Sequence, residues 1–327
     1  MNRDIKILDA SLREGEQQCD VRFSKKDKIT LVHMLEDFGI RLIEVGHPGI
    51  SREEEAVCRE VAAAAKQADI LMHARAKIEE VHAAYRAGAD WIGIWASINS
   101  ISLQTKYNNR SKDYVVNQVK QAIEEANTLG MKIRFTIEDA SRTTWEDIAY
   151  LGQIAYEAGA NRISLADTVG IWEPNECANI VKKAVEIFPC EIEVHLHNDL
   201  GLALANALAA IDAGASVIDT TLCGIGERVG IVDLLNLSVL LSQKYNQYFQ
   251  LKMIPELTQS LQLATGCKVD HWRPIIGKNI FTHTAPYHVK AVNHNVLAYE
   301  GIQPEMIGRV RKIQQKRVER KGPRLSK

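Results

Sequence analysis

Two histidines stand one residue apart in EIEVHLHNDLG, residues 191–201, a stretch that otherwise has the pattern of a buried strand. Because strand side chains alternate between faces, Glu193, His195 and His197 share one face. One such histidine alone is more often a core imidazole hydrogen-bonded to a neighbour. Two histidines at strand spacing can instead bind a single metal ion. This segment by itself leaves both interpretations open.

The composition places limits on the class of protein. At 327 residues the chain can form one large domain, or a large domain with a smaller one. It is 46% hydrophobic and 25% charged with a formal net charge of -1, which indicates neither a nucleic-acid partner nor a membrane. The N-terminus lacks an apolar signal core, no apolar run approaches the ~18 residues of a membrane span, and the six cysteines show no paired spacing. We therefore expect a cytoplasmic protein with reduced thiols.

Charge is uneven only in residues 309–327, where nine Lys or Arg stand against the single acid Glu319. Such a basic tail could attract the phosphates of a ligand or an acidic partner surface, or it could be a solvated terminal helix. The sequence leaves its role open.

A short motif recurs along the chain. Ala-Gly-Ala stands at residues 87–89 and 213–215 and again at 158–160, and Gly39 and Gly130 occupy comparable places. Each of these glycines follows a helical pattern, for instance 25–38, 145–158 or 202–213, and precedes a short apolar run, as at a helix end that leads into a strand. Eight strands are predicted to begin near Ile5, Leu42, Ile70, Trp91, Lys132, Arg162, Glu191 and Val217.

Eight βα units over roughly 250 residues favour an α/β fold of the TIM (β/α)8 barrel type. The alternative is a doubly wound open sheet. That fold more often carries a Gly-rich phosphate turn after its first strand, and LDASLREGEQ is not such a turn.

The predicted C-terminal strand ends, where a TIM barrel carries its active site, are rich in polar side chains. In chain order these are Arg13, Glu14, Gln17, His47, His73, Arg75, Arg134, Thr136, Glu138, Asp139, Ser164, Asp167, Thr168, Glu193, His195, His197, Asn198 and Asp199. Each alone is more often a salt-bridge or loop-capping residue, but together they indicate a site. Glu14 is our candidate for the carboxylate that joins the two histidines in a facial set of metal ligands. The same set serves iron oxygenases, whose usual β-sandwich scaffold this strand pattern does not indicate.

A metal ion with open positions could chelate a 2-oxo acid through its carboxylate and keto oxygens and polarise the carbonyl. Arg13, beside Glu14, could then stabilise the alkoxide that develops. The residues thus point to carbon–carbon bond chemistry.

Five segments resemble signatures of the DRE-TIM metallolyases, specifically the acyl-CoA-condensing branch of homocitrate and isopropylmalate synthases. They are LDASLREGEQ, IRFTIEDASR, SLADTVG, EVHLHNDLGLALANALAAIDAGA and CGIGERVGI, and the resemblance runs from about Ile7 to Gly308. It implies a divalent metal (Mg, Mn, Zn or Co) bound by Glu14, His195 and His197. It further implies that Arg13 and Gln17 lie over the reacting carbonyl, and that the 2-oxo acid is held by His73, Arg134, Thr136, Thr168 and Glu193.

The same resemblance implies a C-terminal segment that caps the barrel of a neighbouring subunit. FTHTAPYHVKAVNHNVLAYEG matches that segment at His283, His288 and Tyr299. Glu138, His288 and Tyr299 would then remove a proton from the methyl group of acetyl-CoA, whereas the alternative for His288 and Tyr299 is plain packing.

We accordingly expect a catalytic barrel over residues 1–265, a small, mainly helical lid over residues 266–327, and a homodimer that exchanges the lid. Pro286 departs from the family's usual H-x-A-G-I-H run. Since proline removes a donor and fixes φ, we expect an altered lid backbone.

Glu14 and Ile231 favour homocitrate synthesis from acetyl-CoA and 2-oxoglutarate, because isopropylmalate synthases resemble this chain but carry Asp and Asn at these positions. The alternative is an enzyme similar to 2-isopropylmalate or citramalate synthase, which would use another 2-oxo acid as acceptor. A hydroxymethylglutaryl-CoA lyase-like enzyme would need a catalytic cysteine, for which Cys267 is a weak fit. A catalytically silent barrel that acts as a binding protein through its basic tail predicts the loss of rim residues, yet these residues are present.

Overall fold

Eight parallel strands close into a barrel in the computed structural model, which describes residues 5–313. The strands are β1 (Lys6–Asp9), β2 (Leu42–Glu44), β3 (Asp69–Arg75), β4 (Trp91–Ala96), β5 (Lys132–Ile137), β6 (Arg162–Asp167), β7 (Glu191–Leu196) and β8 (Val217–Thr220). They pair in chain order, and β8 returns to β1 with Ile218 opposite Ile7. The predicted TIM barrel is confirmed, and the open-sheet alternative is wrong because this sheet has no free edge.

The helices are α1 (Lys25–Phe38), α2 (Arg52–Ala64), α3 (Ile78–Arg86), α4 (Ser100–Thr105), α5 (Lys112–Thr128), α6 (Trp145–Glu157), α7 (Pro174–Ile187), α8 (Ala203–Ala213), α9 (Leu234–Tyr245), α10 (Ile254–Thr265) and α11 (Pro286–His294). The predicted helix-to-strand joints are confirmed, because Gly39, Gly88, Gly130, Gly159 and Gly214 all have positive φ, which glycine adopts without strain. Within the described chain, no helix combines the length and apolar character needed to cross a bilayer.

A main core lies between the strands and the outer helices. In α1, Leu31, Leu35 and Phe38 are buried at helical spacing and join this core. The barrel wall is therefore held from outside by apolar packing, which leaves its interior free to carry other chemistry.

The barrel interior is apolar at its N-terminal end and charged above it. The apolar end is a buried cluster of Leu8, Leu42, Leu71, Trp91 and Val217. Two residues further along their strands come Glu44, His73, Gly93 and Asp219, which share the interior face by strand alternation. Arg134 of β5 uses the space at Gly93, where an added Cβ would lie 2.5 Å from its Nη2. A glycine on β4 thus makes room for a buried guanidinium.

Residues 266–313 form a small region with one α-helix, short 3-10 turns and a parallel pair, β9 (Thr282–His283) and β10 (Lys312–Ile313). Pro286 is the first residue of α11, where its missing N–H would have no helical partner in any case. Arg309 donates to the carbonyls of Ile276 and Gly277 at 3.2 and 2.7 Å. α11 and the 3-10 turns agree with a helical C-terminal region, while the domain boundary stays a prediction.

The predicted basic tail lies mostly outside the described residues. Its first part, residues 309–313, contains β10 and not the helix we considered. Arg311 pairs with Glu300 at 2.6 Å, so this end of the tail is not wholly free.

Candidate active site

A cavity of about 310 Å³ opens at the C-terminal end of the barrel, where the sequence predicts the site. Predicted residues that line it are Arg13, Glu14, Gln17, His73, Arg134, Thr136, Glu138, Thr168, His195 and His197. Trp95, Asp219, Glu227 and Arg228 line it without having been predicted. Most of the predicted side chains therefore meet in one place.

Glu14, His195 and His197 are brought together as a candidate metal centre. One ligand atom from each lies within 4.8 Å of the others, and all three residues are buried. The two Nε2 atoms are 3.3 Å apart, close to the separation of neighbouring ligands about 2.1 Å from one ion. A cation between the two Nε2 atoms could be bound by both imidazoles.

Asp219 of β8 sets the orientation of the His195 ring. Its Oδ2 lies 2.9 Å from His195 Nδ1, so Nδ1–H donates to the carboxylate and Nε2 is left as the ligand atom. Burial, followed by the charge of His195, lowers the pKa of His197 to about 3. A neutral imidazole is the form that binds a metal.

Glu14 is held by neighbours on both sides. Its Oε1 accepts the backbone N–H of Glu227 at 3.0 Å, and its Oε2 pairs with Arg13 at 2.5 Å. Burial acts to raise the pKa of Glu14, but the charge of Arg13, with smaller contributions from His195, His197 and the Glu227 N–H, lowers it on balance. At Gly226 an added Cβ would come within 2.9 Å of Glu14 Oε1, so this loop needs glycine to approach the carboxylate.

Arg13 is fixed by a buried carboxylate of the next strand. Its Nε donates to Glu44 Oε2 at 2.8 Å. The other carboxylate oxygen, Glu44 Oε1, accepts a hydrogen bond from Arg134 Nη2 at 2.9 Å and lies 3.0 Å from His73 Nδ1. Burial acts to raise the pKa of Glu44, yet Arg13 and Arg134 hold it well below its usual range. Burial, reinforced by Arg13, lowers the pKa of His73 to about 3, so this imidazole stays neutral.

Arg134 is the central cation of the barrel. Its guanidinium contacts Glu44, Glu193 and Asp219 at 2.9, 3.2 and 3.4 Å. Glu193 is fully buried, bonds Arg134 and Arg162, and is not among the residues that line the cavity. The direct contact expected between Glu193 and the 2-oxo acid stays a prediction. In this structure the Glu193 side chain accepts a hydrogen bond from Arg134. Burial, followed by the charge of the nearby Asp219, raises the pKa of Glu193.

Three buried polar atoms on neighbouring strands of the cavity wall have no partner among the described residues. They are Trp95 Nε1, Arg134 Nε and Thr136 Oγ1. Trp95 lies opposite Thr136 in the β4–β5 register, and Arg134 is two residues before Thr136 on the same face. A buried donor without a partner costs stability, so this wall is suited to a ligand that carries hydrogen-bond acceptors.

Glu138 stands at the edge of the cavity, where Lys106 pairs with its Oε2 at 2.7 Å. Thr168 accepts the backbone N–H of Asp139 at 2.8 Å, and Gln17 is exposed at the mouth. Ile231, buried beside the candidate metal centre, forms a backbone bridge with His197. The residue used to separate the branches therefore does adjoin the ligands.

His288 and Tyr299 do not line the cavity of their own chain. Their rings stack at 3.9 Å between centroids, with Tyr299 43% exposed. His283 instead pairs with Glu300 at 2.9 Å inside the C-terminal region. Cys267 is likewise not among the residues that line the cavity.

Sequence reasoning missed Glu44, Asp219 and Trp95. A signal was present for the two acids, since each interrupts an apolar strand, LIEV or VIDTT, and a buried carboxylate needs a charged or hydrogen-bonding partner. No comparable signal identifies Trp95, because an aromatic residue in a strand is ordinary core material.

The chain is similar to known proteins in both sequence and fold. Residues 4–261 match the family model HMGL-like, and residues 275–320 match the model described as homocitrate synthase post-HMGL domain-like. The chain is 38% identical over 308 residues to a homocitrate synthase of Pyrococcus horikoshii, covering 94% of this chain and 85% of the relative. It is 35% identical over 314 residues to homocitrate synthase AksA of Methanocaldococcus jannaschii, covering 95% and 77%. Among solved structures, hydroxymethylglutaryl-CoA lyase from Pseudomonas aeruginosa superposes with a TM-score of 0.73 at 21% identity, covering 82% of this chain and 96% of the lyase, which supports the barrel fold.

Proposed function

The chain belongs to the HMGL-like family and, within it, to the homocitrate synthases, and from this premise we propose that it condenses acetyl-CoA with 2-oxoglutarate and water to give homocitrate and CoA. The observation that carries the proposal is the meeting of Glu14, His195 and His197 with Arg13 and Glu138 around one cavity. This set can hold an acceptor, stabilise a developing oxyanion and move a proton.

Glu14, His195 and His197 would hold a divalent cation. Their fit rests on the facing Nε2 atoms, the Asp219 hydrogen bond that directs His195, and the buried carboxylate of Glu14. When bound, the cation would act as a Lewis acid on the acceptor's keto group.

Arg13 would stabilise the negative charge that develops on the acceptor's keto oxygen. Its guanidinium lines the cavity next to Glu14 and is fixed by Glu44, so little reorganisation is needed as charge develops. The unpaired Trp95 Nε1, Arg134 Nε and Thr136 hydroxyl would receive the acceptor's oxygens. These polar groups favour a 2-oxo acid with a polar far end over one with an aliphatic side chain.

Glu138 would accept a proton from the methyl group of acetyl-CoA, assisted by His288 and Tyr299 of a neighbouring subunit. The stacked, exposed rings of His288 and Tyr299 lie outside their own cavity, which supports a shared site and hence a homodimer. Six cysteines without disulfides support a cytoplasmic location.

The alternatives are less well supported. A lyase of the hydroxymethylglutaryl-CoA type would place a cysteine at the cavity, and Cys267 is not there. A silent barrel would not need the buried charges that position Arg13 and His195. Burying charged groups lowers the stability of the fold, so such clusters are more typical of functional sites.

A thiol-release assay tests the proposal. The protein is mixed with acetyl-CoA and, separately, 2-oxoglutarate, 2-oxoisovalerate, pyruvate or oxaloacetate, with and without EDTA. We expect fastest release of CoA with 2-oxoglutarate, loss of release in EDTA and its return with Mg or Mn. Preference for 2-oxoisovalerate or pyruvate would transfer the proposal to the related synthases. No release with any acceptor, or full rate in EDTA without protein-bound metal, would overturn it.

A further inference from the structure

A second cavity of about 450 Å³ adjoins the candidate active site and is lined by cations. We call it the basic pocket, and the residues that matter here are Arg75, Lys77, Lys106, Arg110 and Trp95. None of the described residues that line it carries a carboxylate. Trp95 lines both cavities, so the two share a wall.

The cations differ in their partners. Arg75 pairs with Glu80, and Lys106 pairs with Glu138. Within the described chain, Lys77 and Arg110 make no ion pair, and Arg110 lies 5.2 Å from the centroid of the Tyr114 ring. Two uncompensated cations beside two compensated ones make a positive pocket that favours an anion.

The local sequence explains how two of these cations reach one pocket. Asn108 and Asn109 both have left-handed backbone, with φ of 50° and 60°, which asparagine tolerates better than most residues. This sharp turn separates Lys106, just after α4, from Arg110, just before α5. Both side chains consequently line the same pocket.

Lys106 connects the basic pocket to the candidate chemistry. Its Nζ lies 2.7 Å from Glu138 Oε2 and 5.7 Å from the centroid of the Trp95 ring. A ligand anchored in the basic pocket and extended past Trp95 would therefore bring its other end to Glu138. Acyl-CoA has this form, since phosphates stand at one end and the acyl thioester at the other.

We propose that the basic pocket binds the nucleotide phosphates of the acyl-CoA co-substrate through Lys77 and Arg110, with Lys106 at its inner edge. This inference rests on the proposed function and adds to it the place where the co-substrate is anchored. Arginine and lysine are the usual partners of phosphate, because their charge-assisted hydrogen bonds are strong.

Binding is measured by calorimetry without acceptor or turnover. The ligands are CoA, 3′-dephospho-CoA, pantetheine and inorganic phosphate, and the protein is the full chain as wild type, Lys77→Gln, Arg110→Gln and the double variant. The matched control is Lys182→Gln with Lys183→Gln, which removes two exposed cations from α7. Neither Lys77 nor Arg110 lines the candidate active site, and thermal unfolding verifies that each variant folds.

We expect each substitution to weaken CoA binding about tenfold, and the double variant about a hundredfold, as for loss of a charge-assisted contact to phosphate. Pantetheine should bind all proteins alike, and the control should bind CoA like the wild type. Equal CoA affinity of folded wild type and double variant would overturn the pocket assignment but leave the proposed function standing. A wild type that binds neither CoA nor pantetheine would overturn both. Phosphate that stays bound in the presence of saturating CoA would show a free-anion site instead and also overturn the assignment.

Discussion

Replacement of Asp219 tests whether a buried carboxylate sets the metal affinity of the candidate centre. Asp219 is fully buried, and its Oδ2 accepts His195 Nδ1–H at 2.9 Å while lying 3.4 Å from Arg134. Asp219→Asn keeps the size and can keep an acceptor for Nδ1–H, but it removes the charge. Asp219→Ala removes the acceptor as well, so the His195 ring loses its fixed orientation.

The size of the effect follows from these contacts. Loss of the group that orients a metal-binding histidine typically costs 10- to 100-fold in affinity. We expect Asp219→Asn near the lower figure, about tenfold, because its carbonyl oxygen can still orient the ring, and Asp219→Ala near the upper, about a hundredfold. Both variants should fold, since Arg134 keeps Glu44 and Glu193 as partners.

The measurement is a titration of metal-free protein with Zn²⁺ or Mn²⁺ by calorimetry, with a competing chelator if binding is tight. Glu191→Gln is the matched control. Glu191 is a carboxylate that pairs with Arg162 at 2.7 Å at the opposite end of the same strand as His195. The Glu191→Gln variant should bind metal with the affinity of the wild type. Wild-type affinity in an Asp219→Ala protein that unfolds cooperatively would refute the reasoning.

Three further predictions concern other parts of the site. Glu14→Ala should lose bound metal and all turnover, whereas Arg13→Ala should keep the metal and lose ~10² to 10³ in rate, as for one oxyanion partner; elemental analysis beside the rate would expose reversed roles. His288→Ala should bind 2-oxo acid but not exchange acetyl protons, and mixed dimers with Arg13→Ala should regain activity, because each dimer then holds one intact shared site; verified mixed dimers without recovery would mean that each chain completes its own site. The pKa of His73 falls from 6.5 in the unfolded chain to about 3 in the folded one. Between these two pH values the unfolded chain binds a proton that the folded chain does not. The free energy of unfolding should therefore fall by about 1.4 kcal/mol per pH unit as the pH drops below 6.5. Urea unfolding between pH 7 and 5 should show that the free energy of unfolding falls less steeply with pH in His73→Asn than in the wild type. Equal pH dependence in the two proteins would contradict the lowered pKa of His73.

The barrel architecture can be predicted from the sequence because helix ends and strand alternation depend on residues close together in the chain. The five joint glycines, among them Gly39 and Gly214, mark helix ends that favour a left-handed backbone, and the structure has positive φ at each. Strand alternation likewise places His195 and His197 on one face before any tertiary contact is known. Eight such units leave few ways to close a sheet.

The protonation states and partners of the site are decided by residues far apart in the chain. Asp219 directs His195, Glu44 fixes Arg13 and Arg134 together, and Gly93 makes room for Arg134, although none of these pairs is close in sequence. The barrel also buries Glu193 against Arg134, a contact that the sequence alone does not predict.

The sequence alone determined the barrel, the ligand types and the strand ends that carry them, since periodicity and capping act over a few residues. Only the tertiary structure decided which carboxylate neutralises which cation. Among residues 5–313 it also decided which donors stay unpaired and which cations, at Lys77 and Arg110, have no counter-charge. Coulomb and desolvation energies depend on distances through space. Those distances exist only once β8 has closed against β1.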